Sequence, residues 1–451
     1  MEENTICAIS TPNGVGGISI IRMSGKDSLR FASSVFKCKD IDVYDFEPNK
    51  LYLGTFSFED IREKCFCVYF KAPKSYTGED LIEFQCHGGI AITNMILKSL
   101  VKVGCSLAGA GEFTKRAFIN GKLSLDEAEG VIDIINAESE SEIKAGYNLM
   151  KGTLHQEVDK IQNKVTEVLS KIEVALDYPD EDLEEETSID VKSEVNTLLD
   201  KLKKLANTYS SGRLIKQGTK IAIVGKTNVG KSSLLNGLIN YDRAIVTNIE
   251  GTTRDVLEET FVYKGIKFIL LDTAGIRNTQ DTVEQIGIEK SKESIENADL
   301  VLFVIDGSQK LDNQDLDIWS MVSDKKCIIV LNKNDLGEQP LSFDTLDKSI
   351  ISISAQQNHN LDKLKETIYN TVIDNKILES NVVITNQRHL VAINNAIESM
   401  EKVISAINQY ISLDLVSIDL KSAWLYLGEI TGVTENEEII NSIFTKFCVG
   451  K

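Results

Sequence analysis

The segment "GKTNVGKSS" constrains the fold of this 451-residue chain more than any other stretch. It fits the pattern G-x-x-x-x-G-K-S, follows the apolar run "KIAIV" and precedes the helix-compatible run "SLLNGLI". A glycine-rich turn between a buried strand and a helix presents backbone N–H groups to phosphate oxygens, and the helix N-terminus adds partial positive charge. The segment therefore predicts a P-loop in a nucleotide-binding α/β domain.

Buried apolar runs separated by helical segments continue beyond the P-loop. They are "IKFILLDTAG", "ADLVLFVIDG", "CIIVLNKND" and "SIISISA". Repeated strand, turn and helix patterns of this kind indicate a mostly parallel sheet covered on both faces. We therefore expect residues 216–375 to form a doubly wound, Ras-like P-loop domain.

The segment "NKND" predicts which base the nucleotide carries. It places Asn332, Lys333 and Asp335 directly after a buried strand. A carboxylate there can accept both the ring N–H and the amino group of guanine, whereas the edge of adenine would leave it unpaired. The pair Ser354 and Ala355 ends the next strand and can support the base. The nucleotide is therefore predicted to be GTP.

Two further segments predict where the γ-phosphate and magnesium lie. "DTAG" supplies an aspartate near the metal and a glycine that senses the γ-phosphate, and "GTTRD" supplies Thr253. We expect Ser232 and Thr253 to hold Mg²⁺. Ile276 follows "DTAG" where small signalling GTPases have a glutamine that orients water, so catalysis must come from elsewhere.

Together, these motifs give a predicted GTP-binding set. Its members are Asn228, Val229, Gly230, Lys231, Ser232, Ser233, Thr247, Asn248, Ile249, Glu250, Gly251, Thr252, Thr253, Asp272, Thr273, Ala274, Gly275, Asn332, Lys333, Asp335, Ser354, Ala355 and Gln356.

Sequence on both sides of the P-loop domain has a different character. Residues 1–120 mix short strand-like runs with one helical stretch and predict a small α+β domain. Helical periodicity begins at Ser124, which forms a capping box with Glu127, and an acidic run at 177–186 is interpreted as a solvated connection. Helical pattern occupies 121–215 and returns over 376–451, which predicts one discontinuous helical domain with the P-loop domain inserted in it.

Charge and cysteine usage limit the class of protein. A net charge of −19 argues against a whole surface that grips nucleic acid, so an RNA partner needs a local basic patch or a second protein. The eight cysteines include no C-x-x-C pair, and we see no signal region or membrane-spanning run, which favours a reducing, cytoplasmic location. Cys65 and Cys67 are interpreted as core residues rather than metal ligands.

The chain ends in "FTKFCVGK", after a predicted final helix opened by a capping box of Thr434 and Glu437. Its apolar stripe extends through Phe447 to Cys448, so periodicity alone favours a packing role for this cysteine.

The domain order and several motifs resemble the MnmE (TrmE) family of tRNA modification GTPases over essentially the whole chain. The motifs are "TPNGVGGISIIRMSG", "SYTGEDLIEFQCHGG", "GEFTKRAFINGKLSLDEAE", "IVTNIEGTTRD" and the closing "FCVGK". The resemblance implies a potassium-activated GTP hydrolase with a folate-binding N-terminal domain that forms a homodimer. It implies an FAD-dependent GidA/MnmG partner, with which the protein modifies C5 of the wobble uridine of tRNA.

The resemblance also implies ligands for these groups. Potassium would be bound by Asn228, Thr247, Ile249 and Thr252, and Glu284 would orient the attacking water. A 5-formyl- or 5,10-methylene-tetrahydrofolate would be bound by Arg22, Glu83, Lys122 and Lys451. The closing "CVGK" favours an active-site role for Cys448, whose chemical role stays open, and Thr227 stands where the family usually has proline.

Two alternatives remain at this point: a ribosome-assembly GTPase, and a folate-binding regulator without chemistry of its own. The first usually carries a basic RNA-binding domain, and no KH-type segment or basic run follows the P-loop domain.

Overall fold

The computed structural model describes residues 4–178, 181–240, 259–271, 293–340, 348–373 and 382–450. The chain divides into two compact units. The first unit consists of Met1–Ile132, Leu149–Leu199 and Ala392–Lys451, and the second consists of Asp133–Asn148 and Asp200–Val391.

A seven-stranded sheet with helices forms the N-terminal part of the first unit. Its strands are β1 (Ile6–Ile9), β2 (Gly16–Ser24), β3 (Phe36–Cys38), β4 (Leu51–Phe58), β5 (Ile61–Phe70), β6 (Leu81–Gly88) and β7 (Ser106–Leu107). Its helices are α1 (Ser28–Val35), α2 (Ile90–Lys102) and α3 (Glu112–Ile119). The strand order is β3-β4-β5-β6-β2-β1-β7, with β1 and β7 parallel and the other pairs antiparallel.

Alternation along β5 places the apolar side chains of this strand on the face of the sheet that packs into the core. Cys65, Cys67 and Tyr69 point into the core with Phe56 and Phe84, as a period of two requires. The cysteines are thus core residues, and burial raises the pKa of the Cys65 thiol to about 12.

Helices follow from Leu125 onward. They are α4 (Leu125–Asn136), α5 (Glu140–Met150), α6 (Thr153–Asp177), α7 (Glu181–Asn207) and α8 (Tyr209–Gln217). The predicted capping box of α4 is confirmed, because the Ser124 N–H donates to Glu127 Oε2 at 2.8 Å and the Glu127 N–H donates to Ser124 Oγ. The acidic run differs from its prediction: α7 begins at Glu181, so most of the run belongs to a helix.

A six-stranded sheet forms the centre of the second unit. Its elements are β8 (Thr219–Val224), α9 (Lys231–Asn240), β9 (Glu259–Tyr263), β10 (Ile266–Leu271), β11 (Leu300–Asp306), α10 (Asn313–Val322), β12 (Cys327–Asn332), β13 (Ser349–Ser352) and α11 (Leu361–Val372). The order is β13-β12-β11-β8-β10-β9, parallel except for the antiparallel edge strand β9. The predicted fold class, an α+β N-terminal domain with helices and a P-loop domain, is confirmed, while the predicted domain boundaries stay predictions.

Three helices complete the chain: α12 (Gln387–Asn408), α13 (Leu413–Thr431) and α14 (Glu437–Phe444). In the first unit α13 packs on α6, and the Gln162 amide donates to the Trp424 carbonyl at 2.9 Å. The predicted cap of α14 is wrong. Asn436 caps this helix by accepting from the Glu438 N–H, while the Thr434 hydroxyl donates to the Leu425 carbonyl.

Among the helices that the structure describes, none is both long enough and apolar enough to cross a bilayer.

Candidate functional site

The P-loop connects β8 to α9 in the second unit. Gly230 has a φ of 97°, and a Cβ there would collide with the Asn332 side chain, so only glycine fits. Val229 is buried, whereas the side chains of Asn228, Ser232 and Ser233 are exposed at the start of α9. The N-terminal turn of α9 therefore carries hydroxyl and N–H groups of the kind that bind phosphate and Mg²⁺ in a P-loop.

Lys231 is held by the loop itself. Its ammonium donates to the carbonyls of Gly225 and Lys226, each at 2.7 Å. Burial lowers the pKa of Lys231, because desolvation disfavours its charge. Anionic phosphate would favour the charged form, so this lysine is suited to contact β and γ oxygens.

Asn332 joins the phosphate side of the site to the base side. Its Nδ2 donates to the Val229 carbonyl at 2.8 Å, and its Oδ1 accepts from the Ala355 N–H at 2.9 Å. Asn332 is 3% exposed, so a buried side chain holds the P-loop and the segment after β13 in a fixed relative position.

The other predicted base-binding residues lie at the ends of β12 and β13. Lys333 adopts a φ of 64° and donates to Asp306 at 2.7 Å, and Asp335 is exposed in a short 3-10 turn. Ser354 and Ala355 are buried beside them, and Gln356 is exposed. An exposed carboxylate beside two rigid loops can accept the paired donors of a guanine edge.

Other predicted residues lie outside the described part of the chain. They are Thr247, Asn248, Ile249, Glu250, Gly251, Thr252, Thr253, Asp272, Thr273, Ala274, Gly275, Glu284 and Lys451.

A second polar site lies in the first unit, where Arg22 and Glu83 face each other across β2 and β6. The Arg22 guanidinium donates to Glu83 Oε1 from Nε at 2.8 Å and from Nη2 at 2.7 Å. The guanidinium also lies over the rings of Tyr76 and Phe113, with ring centroids 5.7 and 5.6 Å from its carbon. A carboxylate oriented in this way suits a planar heterocycle with adjacent N–H donors, which is the chemistry of a pterin.

The C-terminal tail reaches this site. The Gly111 N–H donates to the Cys448 carbonyl, Val449 bridges Ala110, and Arg22 Nη1 donates to the Gly450 carbonyl at 3.4 Å. Gly450 has a φ of 93°, and a Cβ there would collide with the Ile9 carbonyl, so the close approach requires glycine.

Cys448 is therefore not a packing residue. The helix α14 ends at Phe444, and the thiol is exposed beyond it. Ile443, Phe444 and Phe447 supply the packing against Leu125 and Ala128 instead.

Lys122 borders the same loop as Tyr76 but does not contact Arg22 or Glu83. Its ammonium donates to the Pro73 carbonyl at 3.0 Å. Lys122 thus contacts the loop that contains Pro73 and Tyr76. Tyr76, which packs on Arg22, was not predicted as a site residue, although it lies within the motif "SYTGEDLIEFQCHGG".

Two family models together match most of the chain. A family model described as MnmE helical domain matches residues 125–448, and one described as GTP-binding protein TrmE N-terminus matches residues 5–122. The chain is 43% identical over 457 residues to the tRNA modification GTPase MnmE of Clostridioides difficile, covering 100% of this chain and 99% of that protein. It is 41% identical over 461 residues to the MnmE of Desulforamulus reducens, covering 100% of both.

Solved structures match a smaller part of the chain. Era from Aquifex aeolicus, bound to GDP and AlF4⁻, is 30% identical over 41% of this chain and 67% of its own, with a TM-score of 0.27. The FeoB G-domain from Methanococcus jannaschii is 27% identical over 35% of this chain and 98% of its own, with a TM-score of 0.26.

Proposed function

Because the chain belongs to the MnmE family of tRNA modification GTPases, we propose that its GTP hydrolysis drives modification of C5 of the wobble uridine of tRNA. The group added is of the aminomethyl or carboxymethylaminomethyl type, and its carbon comes from a methylene-tetrahydrofolate. An FAD-dependent protein of the GidA/MnmG type is the partner. The full-length similarity supports the family-level part of this proposal, and the contact of the C-terminal tail with Arg22 supports the folate part.

In the GTP site we assign roles by segment. Lys231 and the N–H groups of the P-loop bind phosphates, Asp335 binds guanine, and Asn332 keeps the two loops aligned. Ser232 and Thr253 hold Mg²⁺, which neutralises charge on the β and γ oxygens when bound. The remaining predicted contacts come from segments 247–253 and 272–275.

A monovalent cation is the second electrostatic component. We propose that Asn228, Thr247, Ile249 and Thr252 bind K⁺, which supplies positive charge near the transferred phosphoryl group. The exposed amide of Asn228 beside the α9 N-terminus supports this assignment.

In the first unit we propose that Glu83 binds the pterin of a 5-formyl- or 5,10-methylene-tetrahydrofolate. Arg22 orients the Glu83 carboxylate, since its guanidinium is already engaged there and at Gly450. We assign Lys122 and Lys451 to the glutamate portion of the tetrahydrofolate. We further propose a homodimer and a cytoplasmic location, which fits eight free thiols.

Reconstitution with tRNA, GTP, a methylene-tetrahydrofolate and the FAD-dependent partner tests the function. Nucleoside mass spectrometry should detect a wobble uridine modified at C5, and its formation should require both GTP and the folate. A product that forms equally well without this chain would contradict the proposal.

Replacing Cys448 with serine is expected to separate the two activities. The Cys448→Ser variant should lose tRNA modification by at least about 100-fold, because a serine hydroxyl is a far weaker nucleophile than a thiolate. GTP hydrolysis should stay at the wild-type rate. The control is Cys38→Ser, at a partly exposed thiol that donates to the Leu53 carbonyl. Full modification by Cys448→Ser would remove this thiol from the chemistry.

Glu284→Ala is expected to slow GTP hydrolysis by about 100-fold, the effect of losing a group that orients or deprotonates the attacking water. GTP affinity should be unchanged, since the residue acts on water rather than on the nucleotide. Single-turnover hydrolysis and nucleotide titration measure the two quantities. Glu296→Ala, at an exposed glutamate, is the control, and a wild-type rate for Glu284→Ala would exclude the role.

A further inference from the structure

We propose that Lys226 is a positioning residue for GTP hydrolysis, which holds the P-loop carbonyls that receive Lys231 by an ion pair to the N-terminus of α10. The proposal concerns GTP hydrolysis alone and does not depend on the proposed tRNA chemistry. The three side chains involved, Lys226, Asp312 and Asp315, are called the Lys226 cluster below.

In the Lys226 cluster one ammonium contacts both aspartates, and the aspartates also bond to each other's main chain. The Lys226 ammonium lies 2.9 Å from Asp312 Oδ2 and 2.9 Å from Asp315 Oδ2. The two aspartates also form a capping box, in which Asp312 Oδ1 accepts from the Asp315 N–H and Asp315 Oδ2 accepts from the Asp312 N–H. One lysine is thus fixed to both ends of the first turn of α10.

Burial makes Lys226 necessary for this arrangement. The Asp315 side chain is fully buried, and the Lys226 side chain is 14% exposed. A buried carboxylate is costly unless a positive charge and hydrogen bonds compensate it. The hydrogen bond from Lys226 lowers the pKa of Asp312, and the hydrogen bond to Asp312 raises the pKa of Lys226, so both of these side chains are charged at neutral pH.

The same residue faces the reaction through its main chain. The Lys226 carbonyl and the neighbouring Gly225 carbonyl accept from the Lys231 ammonium at 2.7 Å. Because the Lys226 side chain is anchored to α10, the Lys226 carbonyl is held in place. This carbonyl in turn positions the Lys231 ammonium, which contacts the phosphates. Lys231 is the residue of this set that neutralises developing charge on the phosphates.

The expected effect follows from positioning. A misplacement of about 1 Å in a reacting constellation can cost about 100-fold in rate, and partial misplacement of Lys231 should therefore cost about 10-fold. We expect the Lys226→Met variant of the full-length protein to lower kcat for GTP hydrolysis by that factor. KM should change by less than about threefold, because the loop N–H groups still bind the nucleotide.

Three variants separate positioning from simple stabilisation. Lys226→Arg keeps the cation and should restore kcat to within about threefold of wild type. Lys226→Met combined with Asp315→Asn should be no slower than Lys226→Met alone, since both act through one contact. Lys264→Met removes an ion pair to Glu366 elsewhere in the second unit and should leave kcat unchanged.

The test measures kcat and KM for GTP hydrolysis by each variant, together with the midpoint of its denaturation. A wild-type kcat in Lys226→Met with a lowered midpoint would reduce the cluster to a structural contact and overturn the proposal. A Lys226→Arg variant as slow as Lys226→Met would overturn it as well.

Discussion

Asp335→Asn is expected to lose GTP affinity by about 10⁴-fold. This is the discrimination found when a site that hydrogen-bonds one ligand is offered a ligand whose donors and acceptors do not match. The carboxylate accepts two donors of guanine, whereas an asparagine amide would turn its own N–H₂ toward the guanine amino group. Xanthine carries a carbonyl at that position, so the variant should instead bind xanthosine triphosphate. Asp335 is exposed beside the buried Ser354 and Ala355, where such an exchange leaves the core unchanged.

Equilibrium titration with fluorescent GTP and xanthosine triphosphate measures the switch. Asp362→Asn, at an acidic residue in the first turn of α11, is a matched control and should keep GTP preference. GTP binding by Asp335→Asn at wild-type affinity would place the base elsewhere and remove the assignment of Asp335.

The parts of the fold that sequence predicts well are those set by local pattern. The apolar runs at β8, β10, β11 and β12 become strands because burial on both faces demands continuous apolar sequence. The edge strand β13 was also predicted, although only its Ile351 is buried. The edge strand β9 has a more mixed sequence and pairs antiparallel, so the repeated strand and helix pattern did not include it.

Tertiary competition explains the errors. Thr434 has the right residue type for a cap, but its hydroxyl is taken by the Leu425 carbonyl nine positions earlier, and Asn436 caps α14 instead. The helix ends at Phe444, but apolar packing continues to Phe447. Cys448 is exposed, because the tail turns there to meet Ala110 and Gly111.

In the sites, too, local motifs could be predicted from sequence, whereas contacts between distant residues could not. The phosphate-binding glycines follow from a motif, because one short loop contains all of them. The Lys226 cluster joins residues 86 and 89 positions apart, and Arg22 meets Gly450 across 428 positions. Pairings at such separations leave no periodic signal in a single chain, so the tail's contact with Arg22 needed the structure.

Potassium is expected to accelerate GTP hydrolysis strongly over sodium at equal ionic strength, and the effect should disappear when Asn228 loses its side-chain oxygen. A correctly placed positive charge at the phosphates, such as an arginine finger, is worth about 10³ to 10⁵ in rate, and this chain has Ile276 where a water-orienting glutamine would stand. Asn228 has a φ of 63°, a conformation that costs an alanine about 1–2 kcal/mol.

The choice of variant therefore matters. Asn228→Ala removes the oxygen and strains the loop at once, whereas Asn228→Gly removes the oxygen and keeps the backbone conformation without strain. Asn228→Gly should bind GTP close to wild type and hydrolyse it at one slow rate in both salts. If Asn228→Gly keeps the potassium stimulation and only Asn228→Ala loses activity, then the role of Asn228 is to allow the left-handed backbone conformation of the loop, and its side chain does not bind potassium. Equal wild-type rates in potassium and sodium would remove the cation from the mechanism altogether.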